Sequence, residues 1–185
     1  GEERIVASIY LRLKARFPKL FLVLVPRHHE RGAAVGEELK SLGVRFVFRK
    51  DLRPATRIKA GELDCLLVNT TGELRHFYTR ADIVFVGKSL TAQGGQNPIE
   101  PAALGKAVIF GPHMENFEPL ATRLVAANAC IKADGHASLV AAIRRALDPR
   151  EAHELSSRAM GVLSAHQGAT RRVIGILNAR PSPAN

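Results

Sequence analysis

Apolar positions fall into two alternating rhythms along the chain. Between Arg4 and Arg16, Ile5, Ile9 and Leu13 stand four apart with arginines interleaved, the period of an amphipathic helix that Pro18 closes. Leu20-Phe21-Leu22-Val23-Leu24-Val25 then runs without a polar break, which reads as a strand buried on both faces. A helix carrying Val35, Leu39 and Leu42 follows, ends at Gly43 as its C′ residue, and leads into a second strand over Val44–Phe48. This is one βαβ unit. The stretch from Arg49 to Gly61 has no period and reads as a loop or irregular crossover. Beyond it the pattern predicts strands at Cys65–Val68, Ile83–Val86, Ala107–Phe110 and Ala129–Lys132, separated by helices near Leu74–Arg80, Pro98–Leu104 and Phe117–Ala127. Helices over Ala137–Leu147, Glu151–His166 and Ala169–Ala179 finish the chain. Strands that alternate with helices and read as continuous apolar runs predict an α/β, doubly wound fold: a mainly parallel six-stranded sheet with helices on both faces.

Length fits this picture as a single domain over residues 1–180 of the 185, with 181–185 as an extended or disordered tail. With 46% hydrophobic residues against 24% charged, and eight Phe, the composition excludes intrinsic disorder. The longest apolar run has six residues, far short of the roughly 18 needed to span a bilayer, and the N-terminal Gly1-Glu2-Glu3-Arg4 has no signal-peptide pattern. The absent initiator Met suggests a fragment. Cys65 and Cys130 each lie within an apolar run and read as buried strand thiols rather than a disulfide framework. A formal charge of +10 favours an anionic partner, whether nucleic acid, membrane headgroup or phosphorylated substrate.

In an open parallel sheet, ligands bind at the carboxyl ends of the strands, and four polar loops are predicted on that edge. In Pro26-Arg27-His28-His29-Glu30-Arg31, Arg27 can grip a phosphate or carboxylate through two parallel hydrogen bonds, or can be one more solvated cation. Adjacent His28 and His29 point opposite ways if extended, which argues against a metal site. In Asn69-Thr70-Thr71-Gly72-Glu73, the Thr70/Glu73 spacing fits a capping box, while Gly72 leaves room for a ligand against the backbone. The third loop runs from Gly87-Lys88-Ser89 to Gly94-Gly95-Gln96-Asn97-Pro98-Ile99-Glu100-Pro101. It brings bare backbone to a helix start with Asn97 as N-cap, Pro98 first and Glu100 third. Glu100 either caps its own helix or accepts from the two hydroxyls of a ribose. Lys88 and Ser89 add a cation and a hydroxyl nearby. The fourth loop, Gly111-Pro112-His113-Met114-Glu115-Asn116-Phe117, sets His113 on the same edge as an anion donor or a structural histidine. No nucleophile elbow, metal-ligand spacing or GxxxxGK[ST] loop occurs, so no catalytic residue, metal or cofactor is assigned.

Pro26-Arg27-His28, Thr71-Gly72-Glu73-Leu74, Gly94-Gly95-Gln96-Asn97-Pro98-Ile99-Glu100-Pro101 and Gly111-Pro112-His113-Met114-Glu115-Asn116-Phe117, in this order and spacing, resemble the C-terminal half of the 3-deoxy-D-manno-octulosonic acid (Kdo) transferases of bacterial lipopolysaccharide synthesis. The resemblance covers essentially the whole chain. It implies the Rossmann-like C-terminal domain of a GT-B glycosyltransferase, binding the donor CMP-Kdo, from which Kdo passes to a lipid A precursor. The donor contacts it implies are Pro26, Arg27, Thr71, Gly72, Glu73, Asn97, Pro98, Ile99 and Glu100; the loop chemistry read above adds Lys88, Ser89, Gly94, Gly95 and His113 as possible further ones. Arg27 falls to the donor's negative charge and Glu100 to the ribose.

The same resemblance puts the general base and the acceptor site in an N-terminal domain outside this chain, and likens Gly1-Glu2-Glu3 to the segment after the interdomain linker. It also implies a place at the cytoplasmic face of the bacterial inner membrane, peripheral or anchored through the N-terminal part, where the basic surface can meet anionic lipid. Three positions depart from the family pattern: Asn69 for Asp, Lys88 for Gly and Gln96 for His. Two other readings compete. One is the donor half of a GT-B enzyme using a UDP-sugar. The other is a basic nucleic-acid-binding module, suggested by the net charge and the Arg49–Lys59 stretch, although the family resemblance implies no nucleic-acid partner.

Overall fold

The computed structural model describes residues 1–165; the helix expected over Ala169–Ala179 and the tail at 181–185 lie outside the described residues. In chain order the elements are α1 (Glu2–Lys14), β1 (Leu22–Leu24), α2 (Gly32–Ser41), β2 (Phe46–Phe48), β3 (Cys65–Leu67), α3 (Leu74–Arg80), β4 (Ile83–Val86), α4 (Ile99–Ala103), β5 (Ala107–Phe110), α5 (Leu120–Ala126), β6 (Ile131–Lys132), α6 (His136–Ala146) and α7 (Pro149–Ser164). Among the described residues all strand pairs are parallel, and the six strands form two hydrogen-bonded groups of three, ordered β1-β3-β2 and β4-β5-β6. The fold is α/β with the doubly wound alternation of strand and helix that the apolar rhythm predicts. Cys65 is fully buried within β3, and Cys130 is buried immediately before β6.

The second sheet carries helices on both faces. Val84, Val86, Val108 and Phe110 pack with Ala102 of α4, Leu124 of α5 and Ala159 of α7. On the opposite face Ala107 and Ile109 pack with Ile9 and Leu13 of α1 and Leu139 and Ala142 of α6. The first sheet differs. Leu22, Leu24, Cys65, Leu67, Phe46 and Phe48 meet Ala7 of α1 and Val35 and Leu39 of α2. Val23, Leu66 and Val47, in register across the three strands, point the other way and join none of the buried clusters. Phe21 and Val23 are accordingly 48% and 39% exposed, so β1 is not buried on both faces as its unbroken apolar run suggested. The cause is the irregular connection over residues 52–64, which supplies no helix to that face.

α1 is the piece both sheets share, with Ala7 buried against the first and Ile9 and Leu13 against the second. At the amino ends of β2 and β3, Asp64 fastens this arrangement. Its carboxylate accepts from Arg45 Nε at 2.8 Å, Arg45 Nη2 at 3.0 Å and the Tyr10 hydroxyl of α1 at 3.3 Å. The Arg45 hydrogen bonds hold the Asp64 carboxyl below its ordinary value, and burial with the neighbouring Asp64 charge pushes the Tyr10 hydroxyl up.

Candidate functional site

Within each sheet the strands are parallel; the four polar loops follow the carboxyl ends of β1, β3, β4 and β5, and side-chain and backbone contacts join them in a chain. The third and fourth loops are the most tightly joined. The third folds back on itself, with Gly95 N–H donating to the Lys88 carbonyl at 2.9 Å and Gln96 N–H to that of Gly87 at 3.1 Å. His113 N–H then donates to the Ser89 carbonyl at 2.9 Å, and Asn116 N–H to the Gly94 carbonyl at 3.2 Å. Glu115 returns the favour by accepting the Gly94 N–H at 2.6 Å. Backbone N–H groups, its own and Gly94's, hold the Glu115 carboxyl below the usual range, with His113 Nδ1 at 3.3 Å adding to the effect.

The Ser89 hydroxyl, fully buried, donates to the Val86 carbonyl at 2.5 Å and accepts the Gly111 N–H at 2.8 Å. Its polar capacity is used inside the fold.

The head of α1 mounts two loops at once. Glu2, only 9% exposed, accepts N–H bonds from Lys88 at 2.6 Å, Leu90 at 2.7 Å and Thr91 at 2.9 Å. Its neighbour Glu3 pairs with Arg31 of the first loop at 3.1 Å. A carboxylate that gathers three backbone donors forms strong, charge-assisted bonds, so the third loop is anchored to the same helix turn as the first.

The second loop joins from the other side. Gly32, at the start of α2, packs so closely on Asn69 that an added Cβ would lie 3.0 Å from the Asn69 Cβ. Asn69 Oδ1 accepts the Lys50 N–H at 3.2 Å. The capping box expected at Thr70 does not form: α3 begins at Leu74 with no side-chain cap, because Thr70 turns its hydroxyl onto the Glu73 carboxylate instead. The other Glu73 oxygen takes Arg49 Nη2 at 2.7 Å and Nε at 3.1 Å. The Thr70 hydrogen bond and then Arg49 hold the Glu73 carboxyl below its usual range.

No protein-family model matches the chain. It is 34% identical over 165 residues to a 3-deoxy-D-manno-octulosonic acid transferase of Bordetella pertussis, a match covering 89% of this chain and 38% of that protein. The transferase of the same name from Haemophilus influenzae is 34% identical over 179 residues, covering 96% of this chain and 41% of that protein. Among solved structures, the C-terminal CMP-Kdo binding domain of WaaA from Acinetobacter baumannii superposes with a TM-score of 0.80 at 28% identity, over 88% of this chain and 83% of that one. The chain is a homologue of the Kdo transferases. It spans about two-fifths of the length of the curated relatives it matches, and its solved counterpart is a C-terminal domain.

Within this Kdo transferase homologue, the positions singled out by sequence separate into occupied and free groups. Pro26 and Pro98 are buried, and Asn97 Oδ1 accepts the Ile99 N–H at 2.9 Å, so the helix-start chemistry read at Asn97 is present even though regular α4 begins at Ile99. Arg27 and Thr71 are exposed with no side-chain partner among the described residues, and Gly72 holds φ +80 in open space. Glu100 is half-buried, and its carboxylate has no hydrogen bond or ion pair among the described residues. Its charge acts on Tyr78 of α3, whose hydroxyl is pushed up first by burial and then by Glu100. That neighbourhood sets Glu100 beside the helix that the second loop leads into.

Gln96 Nε2 is buried with no hydrogen-bond partner among the described residues. The residues that sequence reasoning missed are the mounts Glu2, Glu3, Arg49 and Glu115. A Glu in the first turn of a helix is ordinary complementarity to the helix dipole, so nothing marked Glu2 or Glu3 as mounts.

Proposed function

We propose that this chain binds CMP-Kdo and serves as the donor-binding part of an enzyme that transfers Kdo to a lipid A precursor. The observation that carries the reading is the 0.80 TM-score, at 28% identity, to a CMP-Kdo binding domain. It is supported by the free polar groups at the matching edge: the Arg27 guanidinium and the Glu100 carboxylate have no protein partner among the described residues. In this reading Arg27 grips donor negative charge with paired N–H bonds, and Glu100 accepts from the ribose hydroxyls. Gly72, open at φ +80, lets the nucleotide lie against backbone, whereas Gly94 and Gly95 are buried against Asn116 and Met114 and serve to close the third loop onto the fourth. Pro26, Thr71, Glu73, Asn97, Pro98 and Ile99 shape the walls.

In transfer, an acceptor hydroxyl loses its proton to a base and attacks the anomeric carbon of Kdo, whose bond to the phosphate oxygen breaks as CMP leaves. This chain supplies preplaced donors to the departing phosphate. The base and acceptor site belong to the rest of the enzyme. We place that enzyme at the cytoplasmic face of the inner membrane, where a lipid acceptor resides and a chain of charge +10 is drawn to anionic headgroups.

Thermal unfolding with CMP, UDP and ADP tests the donor assignment. A ligand at 100 times its Kd stabilises by about 2.7 kcal/mol. CMP is expected to raise Tm by several degrees and UDP and ADP by far less; a UDP shift equal to or above that of CMP overturns the assignment. The purified 185-residue chain is expected to transfer no Kdo.

A further inference from the structure

Lys88 stands at φ +55, a left-handed backbone that few residues with side chains adopt. The hydrogen bonds around it show what holds it there. Glu2 accepts the Lys88 N–H at 2.6 Å while taking the Leu90 and Thr91 N–H groups, and the Lys88 carbonyl accepts from Gly95 at 2.9 Å. A loop whose successive N–H groups converge on one point is the usual backbone cradle for a phosphate. Here Glu2 fills the cradle, so backbone at 88, 90 and 91 has nothing left to offer an anionic ligand. The charge that remains is the Lys88 ammonium. It lies 3.5 Å from where a Cβ on Gly94 would be, and the Asn116 side-chain amide lies 2.6 Å from the same point. Neither group has a side-chain hydrogen bond, and no carboxylate is within ion-pair distance of the ammonium, among the described residues: Glu2 takes backbone N–H groups, and Glu115 the Gly94 N–H and His113.

We infer that Lys88 is a donor-binding residue that takes the phosphate of the cytidine nucleotide, assisted by Asn116, and that Glu2 is the positioning residue that turns it toward Gly94. This rests on the CMP-Kdo reading and adds to it: phosphate recognition in the third loop passes from backbone to one side chain.

Comparing CMP with cytidine isolates the phosphate. Calorimetric titration of the wild-type chain is expected to give CMP the tighter binding. Lys88→Met, which keeps the aliphatic stem, is expected to lose about tenfold in CMP affinity, one charge-assisted hydrogen bond, with cytidine affinity unchanged. Lys88→Arg is expected to retain the preference. Lys88→Gly removes the cation and relaxes the left-handed backbone, so its Tm should match or exceed wild type while its CMP preference falls. Glu2→Gln should shrink the CMP-to-cytidine ratio, whereas Leu13→Ala, at the far end of α1, should lower Tm and leave that ratio intact.

The inference is overturned if Lys88→Met binds CMP as wild type does, or loses CMP and cytidine equally. A ratio that Glu2→Gln leaves unchanged removes the positioning role. If the wild-type chain binds neither CMP nor cytidine, the donor reading itself fails and takes this inference with it, an outcome distinct from the others.

Discussion

A Cβ added at Gly111 would sit 2.0 Å from the carbonyl oxygen of Ser89 and 2.3 Å from its carbonyl carbon, backbone atoms that cannot swing aside. Gly72 is a different case: at φ +80 with nothing within 4 Å, it has space but a backbone that disfavours a side chain. Gly72→Ala is therefore expected to cost about 1–2 kcal/mol from conformation alone. Gly111→Ala should reach or exceed the upper end of the roughly 1–3 kcal/mol typical of overpacking, since the third loop must move with it. Urea unfolding of the two variants checks the order, and a smaller loss for Gly111→Ala would contradict the tight junction between the third and fourth loops. At this scale the sequence disclosed the loops but not their mounts. Gly, Pro and Asn announce turns through local chemistry that short windows contain. Glu2 reaches Thr91 across 89 positions and Arg49 reaches Glu73 across 24, and no local pattern encodes either contact.

Among the elements, α3, β4 and β5 have the bounds that the apolar rhythm predicts, because each is stopped by a charge, a glycine or a proline. β1 is shorter than its apolar run, since it pairs only over Leu22–Leu24, the length that β3 offers. α5 begins at Leu120 rather than near Phe117, because Glu115–Phe117 forms a separate 3₁₀ turn and Pro119 intervenes. α7 starts two residues early, at Pro149, where Asp148 accepts N–H bonds from Arg150 at 2.9 Å and Glu151 at 3.2 Å. Asp148→Ala is expected to cost about 1 kcal/mol in urea unfolding.

The Asp64 lock at the amino ends of β2 and β3 makes a sharper prediction because it carries a sign. Its carboxyl is held below the ordinary 3.8, so the stability it contributes is present above the unfolded value and is lost as pH falls through the folded one. Asp64→Asn should therefore lose about 1–3 kcal/mol at pH 7. The gap from wild type should narrow steadily below about pH 4. A gap that holds constant down to pH 3 would mean that Asp64 acts by shape rather than charge.

At the scale of the molecule, two three-stranded sheets raise the question of whether they unfold together. Their hydrogen-bonded ladders are separate, so cooperativity has to come through side chains. α1 supplies the route: Ala7 is fully buried against the first sheet, and Ile9, 1% exposed, packs against the second. The same helix carries Glu2 and Glu3 at its head, so the rigidity of the first and third loops depends on its docking on both sheets. Ile9→Ala removes a fully buried side chain next to Ile109 and Leu139, and such truncations cost about 2–5 kcal/mol. If α1 couples the sheets, that loss belongs to the whole chain: amides of Leu67 in β3 and Ile109 in β5 should lose hydrogen-exchange protection by the same factor, and urea unfolding should remain one transition at a lower midpoint. Loss of protection confined to Ile109, with Leu67 unchanged, would show the first sheet to be an independent unit and α1 no more than a lid on the second.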